Sequence, residues 1–187
     1  MKFLIIDNYS KHISEIVRVF SKVNVDVVGV LDLEKIDFSK YDGFVLSGGS
    51  KHSVVGNKKL YSKEIELIKN SDKPILGICL GFELICEAYE EMMEHSEKRI
   101  KGEVKVNLVS YDKLFNKIDF PIKVYEAHKW SLVKTKFLKV LAKSDSGIEI
   151  IKHPRKLIYG LQFHPEIKGF EQKGLIENFV GIVKKSR

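Results

Sequence analysis

Residues 73–81 read KPILGICLG, an apolar run that enters a glycine–Xaa–cysteine–Xaa–glycine turn and continues into a helical pattern. The apolar run predicts a strand that is buried on both faces of a parallel sheet. A nucleophilic residue with glycines two positions away on each side is typical of a nucleophile elbow, here with Cys79 in place of serine. The glycines let the backbone turn tightly, and the turn lifts the sulfur above the sheet edge. The stretch therefore predicts an α/β fold with Cys79 at the carboxyl edge of its sheet.

The elbow also predicts how this cysteine becomes reactive. The helix that follows points its N-terminus at the sulfur and favours the thiolate. The N–H of Leu80 is then placed to donate to a developing oxyanion. Alone, the motif leaves open that Cys79 is a buried structural cysteine, since cysteine is often a core residue. Cys86 follows two helical turns later on the same face, and we interpret it as core packing.

Strands and helices alternate through the first half of the chain. Continuous apolar or β-branched runs predict the strands, and apolar residues at helical spacing predict the helices. Strands separated by helices of this length indicate βαβ units with right-handed crossovers and a parallel sheet. The pattern predicts strands at residues 2–7, 25–31, 41–46 and 73–79 and helices at residues 13–20, 59–69 and 80–95.

The second half of the chain has short strands joined by turns and a closing amphipathic helix. The predicted strands are residues 105–109, 123–125, 131–133, 148–152 and 157–163, and the helix is residues 175–185. We therefore expect an open, mostly parallel central sheet flanked by helices, with a smaller mixed or antiparallel extension. Because no repeat or Pro/Gly-rich linker divides the chain, residues 1–187 are expected to form one domain.

Composition narrows the functional class. The chain is 44% hydrophobic and its net charge is +7, but its lysines alternate with acids, which indicates a solvated surface rather than a nucleic-acid stripe. This excess charge is also suited to an acidic partner or an anionic substrate. No apolar run is long enough to span a bilayer, and the N-terminus lacks the apolar region of a signal peptide. Two cysteines are too few for a disulfide framework, so we expect a cytoplasmic protein.

Two further motifs follow predicted strands and complete a constellation at one sheet edge, where ligands bind in parallel sheets. In QFHPE, His164 would be the base for the cysteine, and the carboxylate of Glu166 can hold the other imidazole nitrogen. In SGGS, the Gly49 N–H is the natural second oxyanion donor. Each motif alone is compatible with an ordinary surface turn. Their order and their positions after strands make the set much more specific.

The whole chain, from LIIDN through SGGS and PILGICLG to YGLQFHPE, resembles the class I (triad) glutamine amidotransferases. The resemblance implies a flavodoxin-like fold, a Cys79–His164–Glu166 triad and an oxyanion hole made by Gly49 and Leu80. It also implies hydrolysis of the γ-amide of glutamine through a γ-glutamyl thioester, with no metal or organic cofactor. The chain length is similar to that of the stand-alone amidotransferase subunits of archaeal-type GMP synthases. Such a protein gives ammonia to a separate ATP-dependent synthetase, for which this chain has no GxxxxGK[ST] motif.

Two positions depart from the pattern of that family. Glu83 stands where the family usually carries a substrate-contacting glutamine, and the string CLGFE resembles the γ-glutamyl hydrolases. HKWSL, which begins at His128, is similar to the same hydrolases. We expect both residues to bind substrate, although Glu83 could instead be an exposed acid in the first helical turn. The alternatives are therefore a stand-alone γ-glutamyl hydrolase or peptidase with the same triad, or a catalytically weak regulatory homologue.

Overall fold

The most apolar segments of the chain form the parallel strands at the centre of the sheet. A computed structural model describes residues 1–170 and 172–186 of the chain. In this part of the chain the strands at residues 43–46, 75–78 and 158–161 are buried at every position. In chain order the elements are β1 (Lys2–Asp7), α1 (Ile13–Val19), β2 (Asn24–Gly29), β3 (Gly43–Leu46), α2 (Ser62–Asn70), β4 (Ile75–Ile78), α3 (Leu80–Ala88), β5 (Glu94–Leu108), β6 (Ile122–Ser131), β7 (Lys139–Ser144), β8 (Gly147–Lys152), β9 (Ile158–Leu161) and α4 (Lys173–Lys185).

The strands form a single sheet in the order β2-β1-β3-β4-β9-β8-β7-β5-β6. The pairs from β2 to β9 are parallel, and those from β9 to β6 are antiparallel. The order of the parallel strands is that of a flavodoxin-like sheet, in which ligands sit at the carboxyl edge. The predicted fold class, a parallel α/β sheet with an antiparallel extension, is confirmed.

Helices cover both faces of the parallel half, which explains why its strands are apolar on both sides. On one face α1 and α4 pack through Ile16 and Phe179 against the core cluster that contains Phe3 and Ile5. On the other face α2 and α3 pack through Ile68 and other apolar residues against a second cluster. Within residues 1–170 and 172–186, none of the helices combines the length and apolar character needed to cross a bilayer.

The predicted helix at residues 80–95 is too long. The helix α3 ends at Ala88, and β5 already begins at Glu94. Glu90 takes a positive φ of 57°, which breaks the helical path. The Glu91 carboxylate then accepts hydrogen bonds from the backbone N–H groups of residues 136–138, which ties the end of the helix to another loop. These tertiary contacts end the helix where the local sequence would have continued it.

The strands of the second half also differ from the sequence prediction. One strand, β6, replaces the two strands predicted at 123–125 and 131–133. The strand predicted at 105–109 is the last part of the longer β5. The strand β7 was not predicted. Buried and less buried residues alternate along β6, but its buried positions include the polar residues Glu126 and His128. Because those residues are polar, they concealed the alternation. The remaining element boundaries agree with the prediction to within a few residues.

Candidate active site

Cys79 occupies a strained turn between β4 and α3. Its φ is +49°, which a residue with a side chain rarely adopts, so the surrounding contacts must hold it there. Its N–H donates to the carbonyl of Leu161 at 2.8 Å, and its carbonyl accepts from the N–H of Glu83 at 3.1 Å. A Cβ atom on Gly81 would lie 2.4 Å from the Leu46 carbonyl oxygen, so this glycine permits the close approach of helix and strand. The geometry is that of a nucleophile elbow.

His164 and Cys79 meet over the backbone of Gly48. A Cβ atom built on Gly48 would lie 3.0 Å from His164 Cε1 and 3.6 Å from Cys79 Cβ. The Nδ1 atom of His164 lies 2.8 Å from Glu166 Oε1, and the Glu166 side chain is fully buried. Nδ1 is thus engaged with the carboxylate, which leaves Nε2 as the ring nitrogen that faces the sulfur. The three side chains that the sequence predicts as a triad therefore lie together.

The electrostatics of this trio keep the imidazole of His164 protonated. Burial lowers the pKa of His164, but attraction and hydrogen bonding to Cys79, together with the Glu166 carboxylate, outweigh it and raise the pKa to about 10. The imidazole therefore keeps its proton through neutral pH. A protonated imidazole beside the sulfur stabilises the nucleophilic form of the cysteine.

Two backbone N–H groups belong to residues near Cys79. Leu80 is the first residue of α3, so its N–H has no acceptor within the helix. Gly49 lies in the loop after β3, where a Cβ atom would come within 2.3 Å of the Asn8 carbonyl oxygen. Only glycine lets this loop pass so close to the end of β1. These are the two positions at which the sequence predicts oxyanion donors.

A cleft of about 200 Å³ opens beside the sulfur. Glu83 lines it from α3, one helical turn beyond Cys79, and its side chain is 7% exposed. Burial raises the pKa of Glu83 to about 8, so its carboxyl group is protonated near neutral pH and can donate a hydrogen bond. The interpretation of Glu83 as an exposed first-turn acid is wrong. The lining includes Gly49, Cys79, Glu83, Arg99, His128 and Trp130.

His128 lines the same cleft from β6, but its ring nitrogens have partners. Nδ1 lies 2.9 Å from the Trp130 carbonyl oxygen, which can only accept, so Nδ1 carries a proton. Nε2 lies 3.2 Å from Glu126 Oε2. Burial would raise the pKa of Glu126, but hydrogen bonds with His128 and Glu149 lower it, while burial and the Glu126 charge raise the pKa of Glu149. His128 therefore shapes the wall of the cleft and offers no unengaged ring nitrogen to a substrate.

Several residues at the site were missed by the sequence analysis. Arg99 lies on β5 and lines both this cleft and a smaller pocket beside His164, while its Nη2 donates to the Ala127 carbonyl oxygen at 2.9 Å. An irregularity in the β5–β6 pairing between residues 95 and 100 places it there, and no motif signals that irregularity. Asn8 and Glu64 form a buried pair behind the SGGS loop. Asn8 could have been found, because it follows a strand that ends at the same sheet edge.

A cysteine at an elbow beside a buried His–Glu pair, on a flavodoxin-like sheet, has the groups that cysteine-dependent acyl transfer uses. The model of one family, described as glutamine amidotransferase class-I, matches residues 4–182. The chain belongs to this family of glutamine-hydrolysing amidotransferases.

Similar proteins cover nearly the whole chain. The glutamine-hydrolysing GMP synthase subunit of Methanosphaera stadtmanae is 32% identical over 185 residues, with 96% of each chain covered. The protein of the same name from Archaeoglobus fulgidus is 34% identical and covers 99% of this chain and 100% of its own. A crystal structure from Thermoplasma acidophilum, provisionally assigned as the corresponding GMP synthase subunit, superposes with a TM-score of 0.88 at 25% identity. It covers 100% of this chain and 96% of its own.

Proposed function

We propose that the chain, acting as one domain, is the glutaminase subunit of a GMP synthase-type enzyme and delivers ammonia to a separate ATP-dependent synthetase. The observation that carries the proposal is the contact of His164 with Cys79 on one side and Glu166 on the other. The relatives from Methanosphaera and Archaeoglobus carry the corresponding name and have nearly the same length. The proposal therefore has both chemical and comparative support.

The proposed reaction has two halves. The Cys79 thiolate attacks the side-chain amide carbon of glutamine, and the N–H groups of Gly49 and Leu80 donate to the oxyanion that forms. His164 protonates the leaving nitrogen, the C–N bond breaks, and ammonia departs from a γ-glutamyl thioester. His164 then takes a proton from water, which attacks the thioester carbon. The C–S bond breaks, glutamate is released and the thiolate–imidazolium pair returns.

The Glu166 carboxylate orients the imidazole in this scheme. It has no direct contact with the substrate, because it approaches the Nδ1 side of the ring at 2.8 Å. It stabilises the imidazolium and fixes the ring so that Nε2 points at the sulfur. We therefore assign Cys79 and His164 the chemical steps and Glu166 the role of holding the base.

Glu83 and His128 are the proposed substrate-side residues of the cleft. A protonated Glu83 can donate to a substrate oxygen as an amide would, whereas an ionised Glu83 would attract a substrate ammonium group. His128 forms part of the cleft wall and helps to set its position. It offers no ring nitrogen to the substrate, because both nitrogens already have partners in the protein. The carboxyl group at position 83 is the one observation that favours the second candidate, a γ-glutamyl hydrolase with the same triad.

A side-by-side assay tests the assignment. The purified chain is supplied with L-glutamine or with a γ-glutamyl peptide, with and without a GMP synthase-type synthetase and its substrates, and with Cys79→Ala as the blank. We expect ammonia from glutamine, at a rate that rises when the synthetase binds, because partner binding can order site loops. Cleavage of the peptide in preference to glutamine, with no response to the synthetase, would establish the hydrolase instead.

A further inference from the structure

The peptide bond between Gly48 and Gly49 carries one of the two donors that the proposed mechanism needs. Its N–H belongs to Gly49 and its C=O to Gly48. In a trans peptide these two groups point in opposite directions within one plane. Whatever holds the Gly48 carbonyl therefore also sets the direction of the Gly49 N–H.

The side chain of Ser47 holds that carbonyl. Its hydroxyl donates to the Gly48 oxygen at 2.8 Å. The same Ser47 oxygen accepts the backbone N–H of Asn8 at 2.9 Å, so the Asn8 N–H occupies a lone pair and the hydroxyl proton is directed at Gly48. Ser47 is fully buried, so water does not compete for these bonds.

The partner of Ser47 is itself anchored. The Asn8 side chain donates through Nδ2 to Glu64 Oε1 at 3.0 Å and, more weakly, to the Ser47 carbonyl at 3.4 Å. Glu64 reaches this point from α2 and is completely buried, and that burial raises its pKa to about 8. One hydrogen-bonded chain thus links α2, the end of β1 and the loop after β3.

The loop needs such a restraint because of its composition. Gly48 and Gly49 have no side chains that favour one orientation of the peptide between them, and glycine populates backbone conformations that other residues do not. Larger residues do not fit, since a Cβ atom on Gly49 would lie 2.3 Å from the Asn8 oxygen and one on Gly48 would press against His164. The orientation must therefore be fixed from outside the two glycines.

We propose that Ser47, anchored by Asn8 and Glu64, is the positioning residue that keeps the Gly49 N–H directed at the oxyanion. The inference rests on the proposed function, because it assigns a role in the same acyl-transfer reaction. Ser47 does not touch the substrate. It acts through the Gly48–Gly49 peptide, whose N–H donates to the oxyanion.

Two reactions of Cys79 separate this role from a purely structural one. Hydrolysis of glutamine builds an oxyanion, whereas alkylation of the thiolate by iodoacetamide does not. Removing an oxyanion donor costs a factor of about 10²–10³ in kcat, so a peptide whose competent orientation falls to about a tenth to a hundredth of the population should lose about 10- to 100-fold. In Ser47→Ala we expect this loss in kcat, with little change in KM and an unchanged alkylation rate per folded molecule.

Asn178→Ala is the matched control. Asn178 donates to the Leu114 and Asn116 carbonyl oxygens at 2.8 Å, away from the loop after β3. This variant should lose stability and keep both the hydrolysis and the alkylation rates per folded molecule. Asn8→Ala should reproduce the kcat loss of Ser47→Ala in a milder form, and it carries the test if Ser47→Ala does not fold.

The outcomes test the role of Ser47 and the proposed function of the chain separately. Equal loss of hydrolysis and alkylation in Ser47→Ala, or normal kcat in both Ser47→Ala and Asn8→Ala, would overturn the role of Ser47. A wild-type chain that is alkylated at Cys79 but releases no ammonia from glutamine, even with the synthetase present, would instead overturn the proposed function. The two failures are therefore distinguishable.

Discussion

Nδ1 of His164 lies 2.8 Å from a carboxylate oxygen of Glu166, which has no exposed surface. A buried carboxylate on one nitrogen and a thiolate facing the other keep the ring charged, which explains why the pKa of His164 rises to about 10 although burial alone would lower it. The base is therefore already protonated when the substrate arrives. This state suits the departure of ammonia, which requires a proton.

The contact between His164 and Cys79 predicts which of the two thiols reacts. Iodoacetamide should label the native chain at Cys79, and His164→Ala should slow this labelling at neutral pH, because the protonated imidazole beside the sulfur is lost. Cys86 is fully buried and its pKa is raised by burial, so Cys79→Ala should abolish labelling of the native chain. Cys86→Ala is the control. Labelling that persists in Cys79→Ala would contradict the assignment of the nucleophile.

The base and its partner should contribute unequally. His164→Ala should lower kcat for glutamine by a factor on the order of 10² or more, because proton transfer to the leaving group is lost. Glu166→Gln should cost less, since the imidazole remains present, and should also lower the pKa of His164. Nuclear magnetic resonance titration of the imidazole measures that shift directly. Near-normal turnover in His164→Ala would show that another residue is the base.

Glu83 should determine how the substrate is held. If its protonated carboxyl group donates as an amide would, Glu83→Gln should keep or improve kcat/KM for glutamine, chiefly through KM. The wild type should then lose affinity for glutamine as the pH rises through about 8, where Glu83 ionises, and Glu83→Gln should not.

A carboxylate that binds a substrate ammonium would give the opposite result. Glu83→Gln should then lower kcat/KM for a γ-glutamyl peptide. The loss of transition-state stabilisation should be on the order of 1–3 kcal/mol, because a buried partner is left unpaired. Measuring kcat/KM for both substrates in both proteins distinguishes the cases. No change for either substrate would remove Glu83 from the binding site.

Glu64 should make stability depend on pH. Its pKa rises from 4.5 to about 8 on folding, so between these values the folded state holds a proton that the unfolded state releases. Stability must therefore fall as the pH rises through this window, by up to about 1.4 kcal/mol per pH unit for this group. Glu64→Gln should flatten the decrease in Tm between pH 5 and pH 8. Glu66→Gln, on the exposed side of the same helix, should leave the slope unchanged.

The elements that bear the chemistry were readable from the sequence because their signals are local. KPILGICLG indicates the elbow through its glycines, and QFHPE places a base and a carboxylate two residues apart. The end of α3 was not readable from the sequence, because it depends on hydrogen bonds between Glu91 and a distant loop. The course of β5 was not readable either, because its pairing with β6 is irregular between residues 95 and 100. Arg99 and Glu64 are at the site only through such tertiary contacts. Glu83 likewise shares its cleft with residues of β6, which lies far from it in the chain.

The position of β9 also has a consequence for biosynthesis. In the part of the chain that the structure describes it is the last strand in sequence order, yet it is inserted between β4 and β8, in the middle of the finished sheet. Cys79 is translated long before His164, and in the folded chain the Cys79 N–H bonds to Leu161, near the end of that strand. A nascent chain therefore carries the nucleophile without its base. Release of ammonia has to wait until residues 158–166 have been synthesised and β9 has paired with β4.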